Sequence, residues 1–253
     1  HLSIRGSPPR SRKALHLNPA DRRNPCGHMI EDRLLDAWNA GDWSGLAPED
    51  RAILDACAEV IAAEVPADGS EYEQELAVHD WMIAHGRYDS NILSQLPDFQ
   101  ENPNNTNPYG FLVDGVGICL GYTTTFQLFM DLLGIECITV EGAAYSGTSD
   151  HAWNQVRLDG EWYCVDVTWD DPTNCFAGDF CRGGYVRHDY FLKSDAEMRD
   201  LEHSGWSSTV TADVSGSYEG YCFRDGEGMM NYKDGYWYYK QADTIRRARA
   251  DGS

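Results

Sequence analysis

The eight cysteines of this sequence include no Cys-x-x-Cys pair, which removes the usual zinc-ribbon and dithiol redox frameworks. No apolar run approaches the roughly 18 residues that a membrane-spanning helix needs, so no membrane insertion is expected. Positive charge is scarce, with 20 Lys and Arg facing 41 Asp and Glu for a net charge of −21. Arg5, Arg10, Arg12, Lys13, Arg22 and Arg23 all fall in residues 1–28, opposed there only by Asp21, so the rest of the chain is more acidic still. Such a body repels phosphate backbones and anionic lipid, and a nucleic-acid partner is not expected. No spaced calcium loop is present either. Asp170, Asp171 and Asp179 are carboxylates without that spacing, and no required cofactor or metal is expected.

What is present suffices for one substantial core: 253 residues, 42% hydrophobic and 12% aromatic, well above the composition of a disordered chain. Residues 1–28 are interrupted by Pro8, Pro9, Pro19 and Pro25 and end in Gly27-His28 before Met29. They read as a vector-derived, irregular segment outside the fold. Residues 29–212 read as the main domain. Residues 213–253 change to short aromatic runs with Asp-Gly turns, such as the stretch 231–239, and read as a β-hairpin or part of a β-repeat. A signal peptide preceding Met29 would fit a secreted or cell-surface protein, where Cys175 and Cys181 could close a small disulfide.

Periodicity supplies the elements. Ile53, Leu54, Ala58 and Ile61 recur at helical spacing until Pro66, and a second helix runs from a Ser70 cap through Leu76, His79, Trp81, Met82 and Ile83 to Gly86. Residues 87–116, rich in Asn, Pro, Asp and Gly, form a long loop of the kind that carries function. A buried helix then spans Leu120 to Leu133 and stops at Gly134. Strands are expected over Ile135–Ala143, His151–Leu158 and Glu161–Trp169, the last two joined by the hairpin dipeptide Asp159-Gly160. Helices followed by an antiparallel sheet define an α+β fold.

One constellation carries chemistry. Cys119 stands at the start of a helix, where unpaired amides favour a thiolate, and it follows Gly115-Val116-Gly117, which lets backbone approach a substrate. Its own N–H is a natural oxyanion donor. With Leu158 opposite Glu161, Trp153 faces Asp166 and His151 faces Thr168, so His151 and Asp166 share one strand face. Ala152, Val156, Leu158, Tyr163, Val165 and Val167 form the opposite, core face. The expectation is that the His151 and Asp166 face addresses the helix of Cys119, and that nucleophile, base and orienting carboxylate meet there. Taken singly, each residue has a bland account: a buried cysteine, a strand histidine, an aspartate bonding an amide. Trp162 and Trp169 flank the proposed site, Trp169 on the core face, and Cys164 reads as filler.

The stretch 109–122, running from Tyr109 through Gly117 and Cys119 to Tyr122, resembles the nucleophile segment of bacterial transglutaminase-like proteins. His151-Ala152-Trp153-Asn154 and the stretch 165–172 around Asp166 resemble that family's histidine and aspartate motifs, in the same order. His79-Asp80-Trp81, Tyr88-Asp89, Asp189-Tyr190-Phe191 and Ser194-Asp195 extend the resemblance over about residues 70–206. It implies a papain-like α+β core with the nucleophile helix packed on an antiparallel sheet and a Cys119, His151, Asp166 triad. It also implies a thioester formed from an amide carbonyl of a protein or peptide substrate. Substrate-contacting candidates are Tyr109, Gly117, Trp153 and Tyr122, with Tyr109 or Trp81 as a second oxyanion donor. Three functions fit: transfer of the acyl group to an amine, hydrolysis by a cysteine peptidase with the same triad, or a binding module that keeps the fold alone. Arylamine acetyltransferases would carry Arg-Gly-Gly where Gly117-Ile118 stands, and peptide N-glycanases would bring Cys-x-x-Cys zinc ligands.

Overall fold

The computed structural model describes residues 32–90, 102–171, 185–213, 218 and 221–249. Residues 1–28, Cys175, Cys181 and Asp179 lie outside them. Among the described residues five α-helices precede the first strand: α1 (Asp32–Ala40), α2 (Pro48–Glu64), α3 (Glu71–His85), α4 (Pro108–Leu112) and α5 (Cys119–Leu133). The Ser70 cap of α3 is a full capping box with Glu73, which satisfies two otherwise orphaned N–H groups. Gly134 ends α5 at φ 79°, a left-handed position that only glycine adopts without strain. Neither α1 nor the five-residue α4 inside the Asn-rich loop was expected from periodicity, because each is too short to show a repeated stripe.

Strands β1 (Cys137–Ala144), β2 (Ser149–Leu158) and β3 (Glu161–Val165) form an antiparallel sheet in that order, with Leu158 opposite Glu161. Asp159 and Gly160 make the turn at φ 50° and 90°, both in the region a tight hairpin of this hand requires. The third strand is shorter than its alternation predicts. It stops at Val165, and α6 (Val167–Asp170) begins with Asp166 as its cap, whose side chain accepts the Trp169 N–H.

The two faces of this sheet are covered by different parts of the chain. Val156, Leu158, Tyr163 and Val165 lie in one core with Phe126, Phe129 and Met130 of α5, and each fully buried side chain of this kind contributes about 1.5–3 kcal/mol. Trp153, Val140 and Cys164 face the other way into a smaller core with Met198 and Ala212, beside α7 (Asp195–Asp200). The nucleophile helix therefore packs on the aliphatic face, and the expectation that it covers the His151 face is overturned: the aliphatic face matches the apolar side of α5.

A second sheet is assembled from β4 (Tyr185–Arg187), β5 (Glu227–Lys233), β6 (Tyr236–Gln241) and β7 (Thr244–Arg249), in that order. Between β4 and β5 in sequence, α8 (Cys222–Asp225) contributes Phe223. Val186, Phe223, Met230 and Ala248 join the core that holds α5, so the C-terminal aromatic strands bury their inner face against the rest of the molecule.

Candidate functional site

The site is built at one end of the first sheet. Cys119 is the first residue of α5, and the turn behind it is clamped to β2. The Thr123 hydroxyl lies 2.7 Å from the Cys119 carbonyl and 3.1 Å from the Ala152 carbonyl, and the Asn154 amide donates to the Thr123 carbonyl at 3.2 Å. This lacing fixes the thiol relative to His151, the neighbour of Ala152 at the end of the strand. The approach to Cys119 is equally tied down. Gly117 donates to the Arg87 carbonyl at 3.0 Å and accepts from the Asp89 N–H at 2.8 Å, while Ile118 donates to the Asn105 carbonyl at 2.8 Å. The Asp89 carboxylate in turn accepts from the Asn105 amide at 3.0 Å and the Asn102 N–H at 3.2 Å. An Asn-rich loop thus becomes rigid through its own side-chain hydrogen bonds.

His151 Nε2 lies 2.6 Å from Asp166 Oδ2. A carboxylate accepts only, so this nitrogen carries a proton, and Cys119 also hydrogen-bonds the imidazole. Burial would make His151 harder to protonate, but the Asp166 charge and hydrogen bond, helped by Cys119, outweigh it and push its pKa up to about 10. Asp166 moves the opposite way. Burial opposes its ionisation, yet His151 and then His203 hold it well below the usual carboxylate range. Among the described cysteines, Cys57, Cys137, Cys164 and Cys222 are buried and Cys119 alone is partly open. Burial pushes the thiols of Cys57, Cys137 and Cys164 up, which suits an inert packing role.

The four candidate substrate contacts fare differently. Tyr122 is closed to solvent and its hydroxyl bonds Asp171, which anchors α5 to the end of α6. Trp153 is 1% exposed and lies beneath His151, ring centroids 6.0 Å apart. Gly117 spends both backbone groups inside the loop, and it is Gly115, at φ 71°, that makes the left-handed turn. Tyr109 packs half-buried on the main core. Trp81 stacks on His85 and meets Phe129 edge-on. Tyr122, Trp153 and Gly117 thus belong to the framework of the site, while Tyr109 and Trp81 pack on the main core. Trp169, assigned to the core face by strand alternation, is carried to the site by α6 and lies 5.5 Å from the His151 ring. Beside it stands Tyr145, 59% exposed and 4.8 Å from Trp169, in a turn where Tyr145, Ser146 and Gly147 all have positive φ.

Two neighbours join the site with no role in it assigned from the sequence: Tyr88 is named only within the Tyr88-Asp89 match, and His203 not at all. Tyr88 lies close enough to Cys119 and Asp166 for their charges to act on its phenol; burial first and these groups next push it up to about 12. His203 lies 2.9 Å from Asp166 Oδ2, a partner brought from 37 residues away by the segment after α7. The Tyr88-Asp89 motif marks Tyr88 without giving its role, and no periodic or motif signal marks His203. Nitrogen and oxygen atoms of His151, Asp166 and His203 lie within 4.8 Å of one another, as do those of His79, Asp80 and His188. Such spacing would suit a metal ion, but hydrogen bonds between imidazole and carboxylate account for both clusters.

Residues 59–167 match the transglutaminase-like superfamily. The chain is 27% identical over 167 residues to the kyphoscoliosis peptidase of Mus musculus, covering 62% of this chain and 24% of that protein. It is 33% identical over 110 residues to the kyphoscoliosis peptidase of Homo sapiens, covering 40% and 16%. The chain therefore spans about a quarter or less of these relatives. A solved structure of a TGase is similar at a TM-score of 0.40 and 19% identity, over 54% of this chain and 37% of that one. The matched residues run from the middle of α2 through the loop, the thiol, the imidazole and Asp166 to the first turn of α6, and this segment of the chain is transglutaminase-like.

Proposed function

We propose that this protein is a cysteine-nucleophile enzyme that opens an amide bond through a thioester on Cys119. The observation that carries this reading is the imidazole of His151, bonded to Asp166 through Nε2 at 2.6 Å and to the Cys119 thiol as well. In the proposed reaction His151 takes the thiol proton, and the thiolate attacks the carbonyl carbon of a glutamine side chain or peptide. The oxyanion is met by the Cys119 N–H and the Tyr88 hydroxyl. As the tetrahedral intermediate collapses, the C–N bond breaks, His151 returns its proton to the departing nitrogen, and the thioester is left. A second nucleophile, an amine or water, then gives up a proton to His151, attacks the thioester and releases the thiol. Asp166 stays ionised throughout and fixes the tautomer.

Transfer to an amine is the reading favoured by the aromatic pair Trp169 and Tyr145 beside the imidazole, which shields a thioester from water. Hydrolysis is supported by the curated relatives, which carry the name peptidase. Incubation with a glutamine-containing protein and a labelled primary amine separates them. Incorporation of label is expected; new N-termini without incorporation would assign the activity to hydrolysis, and neither product, with Cys119 no more reactive than free cysteine, would leave a binding module.

A further inference from the structure

We infer that His203 is a positively charged positioning residue, the fourth member of the assembly, which holds Asp166 and offsets its charge. The inference rests on reading Cys119, His151 and Asp166 as the reacting groups. Its basis is a count of protons. His203 is fully buried, with Nδ1 3.0 Å from the Leu201 carbonyl oxygen and Nε2 2.9 Å from Asp166 Oδ2. A carbonyl oxygen only accepts. An ionised carboxylate only accepts. A neutral imidazole has one N–H and one lone pair, so in that form one of these two contacts would set lone pair against lone pair away from water. Both bonds are made only when the ring is an imidazolium.

Asp166 has no call for a proton of its own, because every group around it donates. His151 Nε2 meets the same Oδ2 at 2.6 Å and the Trp169 N–H meets Oδ1 at 3.1 Å. The other groups facing His203 are the rings of His151 at 5.4 Å, Tyr190 at 5.6 Å, Trp153 at 4.9 Å and Trp169 at 4.7 Å. Among the described residues Asp166 is thus the anion in contact with it, and two imidazole rings share one carboxylate oxygen. With Cys119 as thiolate and His151 protonated, four charges close to neutrality. Without His203 the pocket would hold a net negative charge, and His151 would keep its proton more tightly. A general acid must let that proton go to the leaving nitrogen, so the second cation makes His151 the better donor while its two hydrogen bonds fix the plane of Asp166.

The position of His203 is itself enforced. Its N–H donates to the Met198 carbonyl at 2.9 Å, and the next residue, Ser204, exchanges backbone hydrogen bonds of 2.7 and 2.8 Å with Ala143 of β1. A Cβ on Gly142 would come within 2.7 Å of the Ser204 carbonyl oxygen, so glycine there permits the close approach that carries His203 to Asp166.

Nitrogen-15 NMR of the side-chain imidazoles in the full chain tests the charge directly and needs no substrate. Both His203 nitrogens are expected to bear protons at pH 7, in the unmodified chain and in Cys119→Ala; a lone pair on either one overturns the inference, whatever the enzyme's activity. His203→Gln supplies the functional arm, since Gln can still donate to Asp166 but brings no charge. The probe is iodoacetate, followed by mass spectrometry of the Cys119 peptide across pH. Its carboxylate is drawn by the His151 imidazolium, so labelling slows once that charge is lost. Removing a like charge at this range raises a pKa by about one unit, and the alkaline limit of labelling is expected to move up by that much in His203→Gln, with turnover reduced roughly 10- to 100-fold, as for other partners that orient a histidine. A uniform loss of labelling with no shift of that limit would reduce His203 to a structural tie. Turnover absent in the unmodified chain, with the NMR result intact, would count against the proposed reaction instead.

Discussion

At the scale of single residues, Asp166 and Tyr88 make different contributions to the proposed site, and each predicts a different kinetic signature. Asp166→Asn preserves the size of the side chain and its acceptance of the Trp169 N–H, but it replaces the charge that holds the proton on His151 Nε2. Turnover is expected to fall on the order of 10⁴-fold, the loss seen for the same change in Ser-His-Asp enzymes, with the circular dichroism spectrum unchanged. Full activity would remove Asp166 from the mechanism. Tyr88→Phe removes one proposed oxyanion donor. Turnover should fall by about 10²–10³-fold with little change in KM, because the oxyanion exists only after attack; a rise in KM alone would make Tyr88 a substrate contact. The place of the first in the site is legible in the sequence, whereas the second is marked only by the Tyr88-Asp89 match and its role is not. Asp166 sits in a run of alternating apolar residues that places it on the His151 face of a hairpin, whereas Tyr88 reaches Cys119 because the bridge between Tyr88 and Gly117 joins two ends of a long loop. His203 was hidden for the same reason: what brings it near is a backbone pairing with Ala143, and such pairings leave no local pattern.

Among elements, the turn α6 shows where alternation stops being informative. Residues 161–169 read as one strand, and Trp169 therefore went to the core; the side chain of Asp166 instead caps a helical turn and swings Trp169 to the imidazole. That turn is pinned at its far end as well. Asp170 accepts from His79 Nε2 at 3.1 Å and from the Tyr190 N–H at 3.0 Å, and His79 Nδ1 meets Asp80 at 3.0 Å. Burial would lower the pKa of His79, but its bonds to Asp170 and Asp80 prevail and raise it to about 9. Since this lies above the unfolded value of about 6.5, the stabilisation is fully present below pH 6.5 and is lost as pH rises through 9. The melting temperature of His79→Gln should therefore fall furthest below that of the unchanged protein near pH 6, with the gap narrowing above pH 9. A gap independent of pH would mean that packing, not charge, holds α3 to α6. The nucleophile helix has its own constraint. A Cβ on Gly121 would lie 2.3 Å from the Asn105 carbonyl oxygen, the oxygen that also receives the Ile118 N–H. Gly121→Ala is expected to destabilise by about 1–3 kcal/mol through overpacking, measured by urea denaturation, and to reduce activity by displacing the loop before Cys119.

For the molecule as a whole, the net charge of −21 has a consequence that no local contact carries. That charge repels polyanions. In the proposed reaction, where a thioester awaits a nucleophile, it would also bias which amine arrives. Glu202 stands at the Tyr145 turn, its carbonyl accepting the Ser146 N–H, while Asp150 precedes His151 on β2 and Glu141 pairs with Ala152, the residue after it. A potential of this sign raises the local concentration of cationic acceptors, such as a lysine side chain or a diamine, and speeds their encounter, while a neutral amine feels nothing. The effect extends over a Debye length of about 10 Å at 0.1 M salt and shrinks to about 3 Å at 1 M. With the glutamine-containing protein held saturating, kcat/KM for a diamine should therefore fall as salt rises from 0.05 to 0.5 M (about a tenfold change in ionic strength, chosen to span that range), whereas the value for an uncharged hydroxylamine-type acceptor stays level. Equal salt dependence for both acceptors would place the effect on the acyl donor, and no dependence for either would show that the acidic surface has no part in choosing the acceptor.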